Sequence, residues 1–184
     1  MKKILVIVDC QNDFIDGALR NEEAIKKVDN IINKLYENDY HMIYVTKDTH
    51  GPHYLSTPEG QKLPIEHCIR GTHGWELNEK LLKVLDNEFN FYKTIEKDTF
   101  GSVNLPIEII KHIAYVNDTQ KDYSIEFVGF CTDICVVSNA LTCLPWLKDC
   151  EIIVDASCCA GTTIEKHNAA LDVMESCQIK IINR

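Results

Sequence analysis

Residues 1–14 read MKKILVIVDCQNDF, and the reading of this stretch decides the fold. The apolar run at 4–8 contains no polar residue and stops at Asp9. Polar alternation would mark a strand with one wet face, whereas an unbroken run marks a strand covered on both faces, as in a parallel sheet. Similar runs recur at 42–46, 89–95, 125–129, 151–154 and 178–182, with helical patterns between them at 22–38, 75–85, 105–116, 132–148 and 164–176. This alternation is that of βαβ units and predicts an α/β fold built on a parallel sheet.

Local signals support the helices. Pro106 suits a first turn, where its missing N–H would have no partner anyway. Thr162 and Glu165 have the spacing of a capping box. Pro145 ends or kinks the helix expected at 132–148 near Leu144. The segment 48–74 has no clear periodicity, and a loop of that length in a compact domain is usually functional.

At 184 residues the chain has the length of one domain, read as spanning 1–184. Such a chain buries about 70% of the surface its unfolded form exposes, so no disulfide or metal is needed for folding. Nineteen basic against 28 acidic residues give a net charge of −9, which disfavours nucleic acid and anionic membranes as partners. The run at 4–8 is too short for a signal sequence, and no stretch approaches the roughly 20 apolar residues of a membrane span. A cytoplasmic location is expected, with the nine cysteines as thiols and mostly apolar fillers.

In open α/β sheets, sites form beyond the carboxyl ends of the strands. Asp9 follows the first expected strand, Asp48 and His50 the second, Lys97 the third, and Cys131, Thr132, Asp133 and Cys135 the fourth. One polar residue after a strand is ordinary; a carboxylate, a lysine and a cysteine at one end make a site. Cys135 falls in 129-GFCTDICVV-137, at the start of a helix, where the helix dipole and a lysine would lower a thiol pKa. Taken alone it reads as packing, because eight other cysteines share that explanation. Its spacing from Cys131 is not the redox C-x-x-C, and Cys158–Cys159 reads as structural.

Asp48 and His50 lie at i and i+2 of an extended stretch and can share one cation. A third ligand would be His53, Glu59, His67 or His73; two histidines and a carboxylate leave positions open for substrate. The set suits one divalent ion, zinc first, with iron or manganese as alternatives. No G-x-G-x-x-G, G-x-x-x-x-G-K-[ST] or G-x-S-x-G occurs, which argues against dinucleotide, nucleotide and serine-hydrolase sites.

Taken together, 9-DCQNDF-14, Asp48-Thr49-His50, 67-HCIRGT-72, 96-EKDTFGS-102 and 129-GFCTDICV-136 resemble the motifs of the isochorismatase-like cysteine hydrolases, and of nicotinamidases within them. The resemblance implies a three-layer α/β/α fold with a six-stranded parallel sheet of order 3-2-1-4-5-6. It implies a catalytic triad of Asp9, Lys97 and Cys135, with Lys97 chosen over Lys93. It also implies a cis peptide before Cys131, an oxyanion hole from the N–H groups of Cys131 and Cys135, and Phe14 in the ring pocket. His67 becomes the third metal ligand beside Asp48 and His50, and the metal holds the ring nitrogen of the substrate.

Two stretches depart from the nicotinamidase pattern: 63-LPIEH-67 replaces W-P-x-H, and Gly51-Pro52-His53 follows the D-x-H. The expected activity is hydrolysis of a small-molecule amide, nicotinamide first, through a cysteine thioester. Alternatives are a same-triad amidase acting on another amide or ureide, and a catalytically silent relative that binds a partner protein. Folds of this kind commonly pair through their outer helices, so a homo-oligomer is a further expectation.

Overall fold

The computed structural model describes residues 1–89 and 91–184. Its sheet has six parallel strands in the order β3-β2-β1-β4-β5-β6, as the resemblance implies. The strands are β1 Lys2–Val8, β2 Met42–Asp48, β3 Tyr92–Lys97, β4 Tyr123–Phe130, β5 Glu151–Ala160 and β6 Lys180–Ile182. The helices are α1 Asn12–Ile15, α2 Glu22–Glu37, α3 Pro58–Lys62, α4 Glu79–Glu88, α5 Asn104–Tyr115, α6 Val137–Cys143 and α7 Ile164–Ser176. Among the described residues no helix is long and apolar enough to cross a membrane.

The unbroken apolar runs have the cause inferred for them. On β1, Ile4, Val6 and Val8 pack with Leu105 and Ile109 of α5, Ala140 of α6 and Leu171 of α7. Leu5 and Ile7 face the other way, onto Val28 and Ile31 of α2 and Leu81 and Leu85 of α4. Each such side chain contributes about 1.5–3 kcal/mol when fully buried, so both faces favour the three-layer arrangement. Seven of the nine cysteines are buried and all nine are free. Cys158 and Cys159 point into opposite cores.

Several boundaries differ from expectation for visible reasons. The strand expected at 89–95 lies at Tyr92–Lys97; Phe89 caps α4, and position 90 lies outside the described residues. The helix expected at 75–85 starts only at Glu79. Residues before it pair with the segment after β1: Asn78 N–H donates to Cys10 C=O, and Leu77 bridges Gln11. The expected helix at 132–148 is a π-turn, Thr132–Val136, followed by α6, which stops at Cys143 two residues before Pro145. β5 runs to Ala160, well past the expected 154, because it re-registers against β4 between Phe127 and Gly129. β6 is shorter than 178–182, since Gln178 has φ +68°. The cap of α7 is Thr163, one residue after the expected Thr162, whose own hydroxyl is committed to the Asp133 carboxylate at 2.6 Å. Within the aperiodic 48–74 segment lie a 3₁₀ turn, Tyr54–Ser56, and α3, capped by Thr57.

The order of strands reverses between β1 and β4, which opens a crevice beyond their carboxyl ends. Gly129 stands at its floor with φ +119°. A Cβ there would lie 2.1 Å from the Val8 carbonyl oxygen, so only glycine fits.

Candidate active site

Three strands deliver Asp9, Lys97 and Cys135 to this crevice. Asp9 leaves β1 in a left-handed conformation, φ +48°, uncommon for a residue with a side chain. That conformation is held by its N–H bond to the Thr46 carbonyl (3.2 Å) and by the Thr46 hydroxyl, which donates to Asp9 Oδ1 at 2.6 Å. Lys97 ends β3 in register with Asp48 and is buried. Its Nζ lies 2.6 Å from Asp9 Oδ2, 3.5 Å from Asp48 Oδ1 and 3.6 Å from Cys135 Sγ. The Asp9–Lys97 contact is a close, buried ion pair that holds Oδ2 against the ammonium. Lys93, the competing lysine, lies outside, paired with Glu108.

Burial sets the electrostatics. It raises the Asp9 carboxyl above its ordinary value, with the Lys97 charge opposing, so Asp9 is a better proton acceptor than an exposed aspartate. Burial also pushes the Cys135 thiol well up, aided by the Asp9 charge and only partly offset by Lys97. This corrects the expectation of a lowered thiol pKa: a helix start and a lysine are present, but desolvation outweighs them. Lys97 stays protonated, because Asp9, Cys135 and Asp48 outweigh its own desolvation.

The Phe130–Cys131 peptide is cis. Cys131 opens the π-turn and its carbonyl accepts from Ile134 and Val136. Two contacts brace this turn from outside: Thr132 Oγ1 lies 2.8 Å from His167 Nδ1, and Asp133 accepts from Thr162 N–H at 2.7 Å. Asn139 braces it from within, donating to the carbonyls of Cys135 (2.8 Å) and Phe100 (3.1 Å).

Beside the cysteine, Asp48, His50, Glu59 and His67 each offer one ligand atom, all within 4.8 Å of one another. His50 Nε2 is 3.0 Å and His67 Nε2 3.6 Å from Asp48 Oδ2; both lie 3.8 Å from Glu59 Oε1. His67 Nδ1–H must donate to the Ile65 carbonyl (2.9 Å), since a carbonyl only accepts, and this turns the Nε2 lone pair toward the cluster. Burial and the Asp48 charge raise the Glu59 carboxyl, while the two histidines and Lys97 hold Asp48 well below its ordinary value despite burial. Nitrogen and carboxylate donors converging in this way fit a divalent ion. His53 and His73, the other histidines of the segment, are outside the cluster.

The sequence reading missed several residues of this arrangement. Gln11 receives Asp48 N–H on Oε1 (2.7 Å) and returns Nε2–H to the Asp48 carbonyl (2.8 Å), clamping the two strand ends together. Asp13 accepts from Cys68 N–H at 2.8 Å, next to His67. Tyr54 packs on both imidazoles, with ring centroids 4.6 and 4.9 Å away, and supplies an aromatic that 63-LPIEH-67 lacks. Phe14 lies edge-on to His67 at 5.7 Å. Phe14, Tyr54, Cys131 and Cys135 line a cavity of about 1140 Å³ shared with the histidine cluster. The Gln11 and Asp13 roles could have been sought in the quoted 9–14 motif; Thr46, Tyr54 and Asn139 carry no local signal.

Fold and site define a parallel α/β protein with a buried aspartate–lysine–cysteine group beside a candidate metal cluster. The isochorismatase domain matches residues 3–184, and the chain belongs to that family of hydrolases. Its structure is similar to the nicotinamidase/pyrazinamidase of Bacillus subtilis, at 24% identity over 98% of this chain and 99% of that one, with a TM-score of 0.81. It is similar to the pyrazinamidase of Pyrococcus horikoshii in complex with zinc, at 24% identity over all of both chains and a TM-score of 0.74. The N-carbamoylsarcosine amidase of Thermoplasma acidophilum follows, at 22% identity over 98% of this chain and 95% of that one, with a TM-score of 0.75. At these identities the likeness is one of fold. No curated protein matches the chain.

Proposed function

We propose that the chain is a metal-dependent cysteine amidohydrolase of the nicotinamidase kind, converting nicotinamide and water to nicotinate and ammonia. One observation carries this reading: Lys97 Nζ stands within 3.6 Å of both Asp9 and the Cys135 thiol, at the edge of a cavity that also holds the Asp48/His50/Glu59/His67 cluster.

Asp9, raised in basicity by burial, takes the Cys135 proton. Lys97 stabilises the thiolate so formed, which a buried cysteine does not sustain alone. Sγ attacks the amide carbonyl carbon, and the developing oxyanion is met by the backbone N–H groups of Cys131 and Cys135. Asp9 returns the proton to the nitrogen as the C–N bond breaks, giving ammonia and a thioester on Cys135. Asp9 then takes a proton from water as it attacks the thioester, and nicotinate and the Cys135 thiol are released. Asp48, His50 and His67, with Glu59 beside them, would hold the divalent ion, which when bound supplies a Lewis-acid anchor for a ring nitrogen. Zinc suits two histidines and carboxylates, and the similarity to a zinc-bound pyrazinamidase supports it. Phe14 and Tyr54 would flank the ring.

The test is ammonia release from metal-loaded protein given nicotinamide, with Cys135→Ala as control. Release that disappears in the variant is expected; no release from protein of confirmed metal content rejects nicotinamide. The altered segment at 51–67 favours a second reading, in which the same residues hydrolyse another small amide or ureide.

A further inference from the structure

The cavity over Cys135 is larger than a bare pyridine carboxamide requires. Its volume, about 1140 Å³, exceeds the roughly 300–1,000 Å³ typical of pockets for drug-sized ligands, whereas nicotinamide is one flat ring with one small substituent. The inner end carries Cys135, Phe14 and the histidine cluster. The solvent-facing part of the lining is formed by residues 19–23 and 51–53, with Leu63 and Phe100, none of which takes part in the chemistry described above.

This outer wall is built rather than slack. Asn21 Oδ1 caps α2 by accepting from Glu23 N–H and Ala24 N–H, while its Nδ2 donates to the Gly161 carbonyl at 2.8 Å, tying one side of the mouth together. On the other side Tyr54 donates to the Leu63 carbonyl at 3.0 Å. Gly51, exposed and next to His50, also lines the cavity, and no atom lies within 4 Å of where a Cβ on it would stand. Leu19, Pro52, Leu63 and Phe100 offer apolar surface to that space, and Phe100 is 45% exposed, a large hydrophobe left uncovered at the rim. The charges speak against an anionic occupant. Apart from the metal cluster, Glu22, Glu23 and Asp98 line the cavity against Arg20 and Lys62, and Arg20 is paired with Glu22 at 2.7 Å.

We propose that the preferred substrate is a primary carboxamide whose ring carries an uncharged apolar extension, aryl or alkyl, seated in the outer cavity between Leu19, Gly51, Pro52 and Phe100. The bond broken is still the amide C–N bond, with water consumed and ammonia released, so for its chemistry the assignment rests on the amidase reading above. The extension adds affinity through burial of apolar surface, and pockets of this kind discriminate an added apolar group by about tenfold or more.

Two measurements separate this assignment from the reading it rests on. Calorimetric titration of metal-loaded Cys135→Ala protein compares nicotinamide with nicotinamides bearing methyl, propyl or benzyl on a ring carbon remote from the amide, and with a carboxymethyl analogue. Binding should tighten at least tenfold from nicotinamide to the benzyl compound, and the carboxymethyl compound should bind more weakly than propyl. Equal or weaker binding of all extended compounds overturns the proposal, whatever the enzyme turns over. In the second measurement the unaltered enzyme is compared with Gly51→Phe, which fills the open space. The benzyl-to-nicotinamide ratio of kcat/KM should fall about tenfold in the variant, with metal content checked to show that His50 is undisturbed. An unchanged ratio counts against the proposal. Tighter binding of the extended amides without turnover of any would reject the amidase chemistry and leave the cavity assignment standing.

Discussion

Two buried lysines in this protein each sit between two carboxylates, and they have opposite surroundings. Lys34 of α2 lies 2.5 Å from Asp155 and 2.7 Å from Glu126 under the sheet. There the remaining lone pairs are occupied: Tyr40 donates to Glu126 at 2.9 Å, Ser157 donates to Asp155 Oδ1 through N–H and hydroxyl, and Asn183 donates to Oδ2. Lys97 lies between Asp9 and Asp48, but a thiol stands 3.6 Å from its Nζ, and a cavity lined by that cysteine and by Asp48 opens alongside. A buried charge network closed on all sides holds structure together; one that borders a thiol and a cavity is a candidate for chemistry.

The comparison can be broken or sharpened by substitution. Cys135→Ala should lower turnover by about 10⁴-fold or more with substrate binding still measurable; retained turnover would remove the nucleophile. Asp9→Asn keeps the shape but cannot take a proton, and kcat should fall by about 10²–10⁴-fold; a rate near that of the unaltered protein would take Asp9 out of the triad. Lys34→Met strands two buried carboxylates and should cost about 3–5 kcal/mol in denaturant unfolding. The folded fraction of that variant should keep its kcat, because nothing in the Lys34 network touches the cavity. His67→Ala should reduce metal content on dialysis and weaken ring-substrate binding by about 10–100-fold; unchanged metal would reassign the third ligand.

The smallest effect is one of pH. Burial alone would raise Asp155, but Lys34, Ser157 and Asn183 outweigh it and hold the carboxyl below its ordinary value. A folded pKa below the unfolded one means that the stabilisation is complete above about pH 4 and is lost as the pH falls through the folded value. Asp155→Asn should therefore flatten the acid limb of the stability–pH curve, and an unchanged limb would show that Asp155 carries none of it.

The sequence made the strands legible because burial on both faces leaves an unbroken apolar run, as at 4–8 and 125–129. It made the end of the sheet legible as well: Asp9, Asp48, Lys97 and Cys135 each close or follow such a run. What it could not show are contacts between residues far apart in the chain. Thr46 reaches Asp9 only because β1 and β2 are neighbours in register, and Tyr54 reaches His67, thirteen residues on, only once the segment between them folds back. Thr162 shows the converse, since a correct local spacing was overruled by a carboxylate 29 residues away in sequence.

The segment from Gly51 to Glu66 has a consequence for how such an enzyme could be altered. Its two ends are pinched together where His50 N–H donates to the Cys68 carbonyl and Arg70 N–H to that of His50. The body of the segment is held largely by its own bonds, Tyr54 N–H to Gly51 and Leu63 N–H to Glu59 among them. It behaves as a cassette on a closed hinge: sequence between the pinch points can be exchanged for a wall of another shape without re-registering a strand. An exchange that keeps Glu59 and Tyr54 would retarget the mouth of the cavity while leaving the aspartate, lysine and cysteine where the sheet puts them.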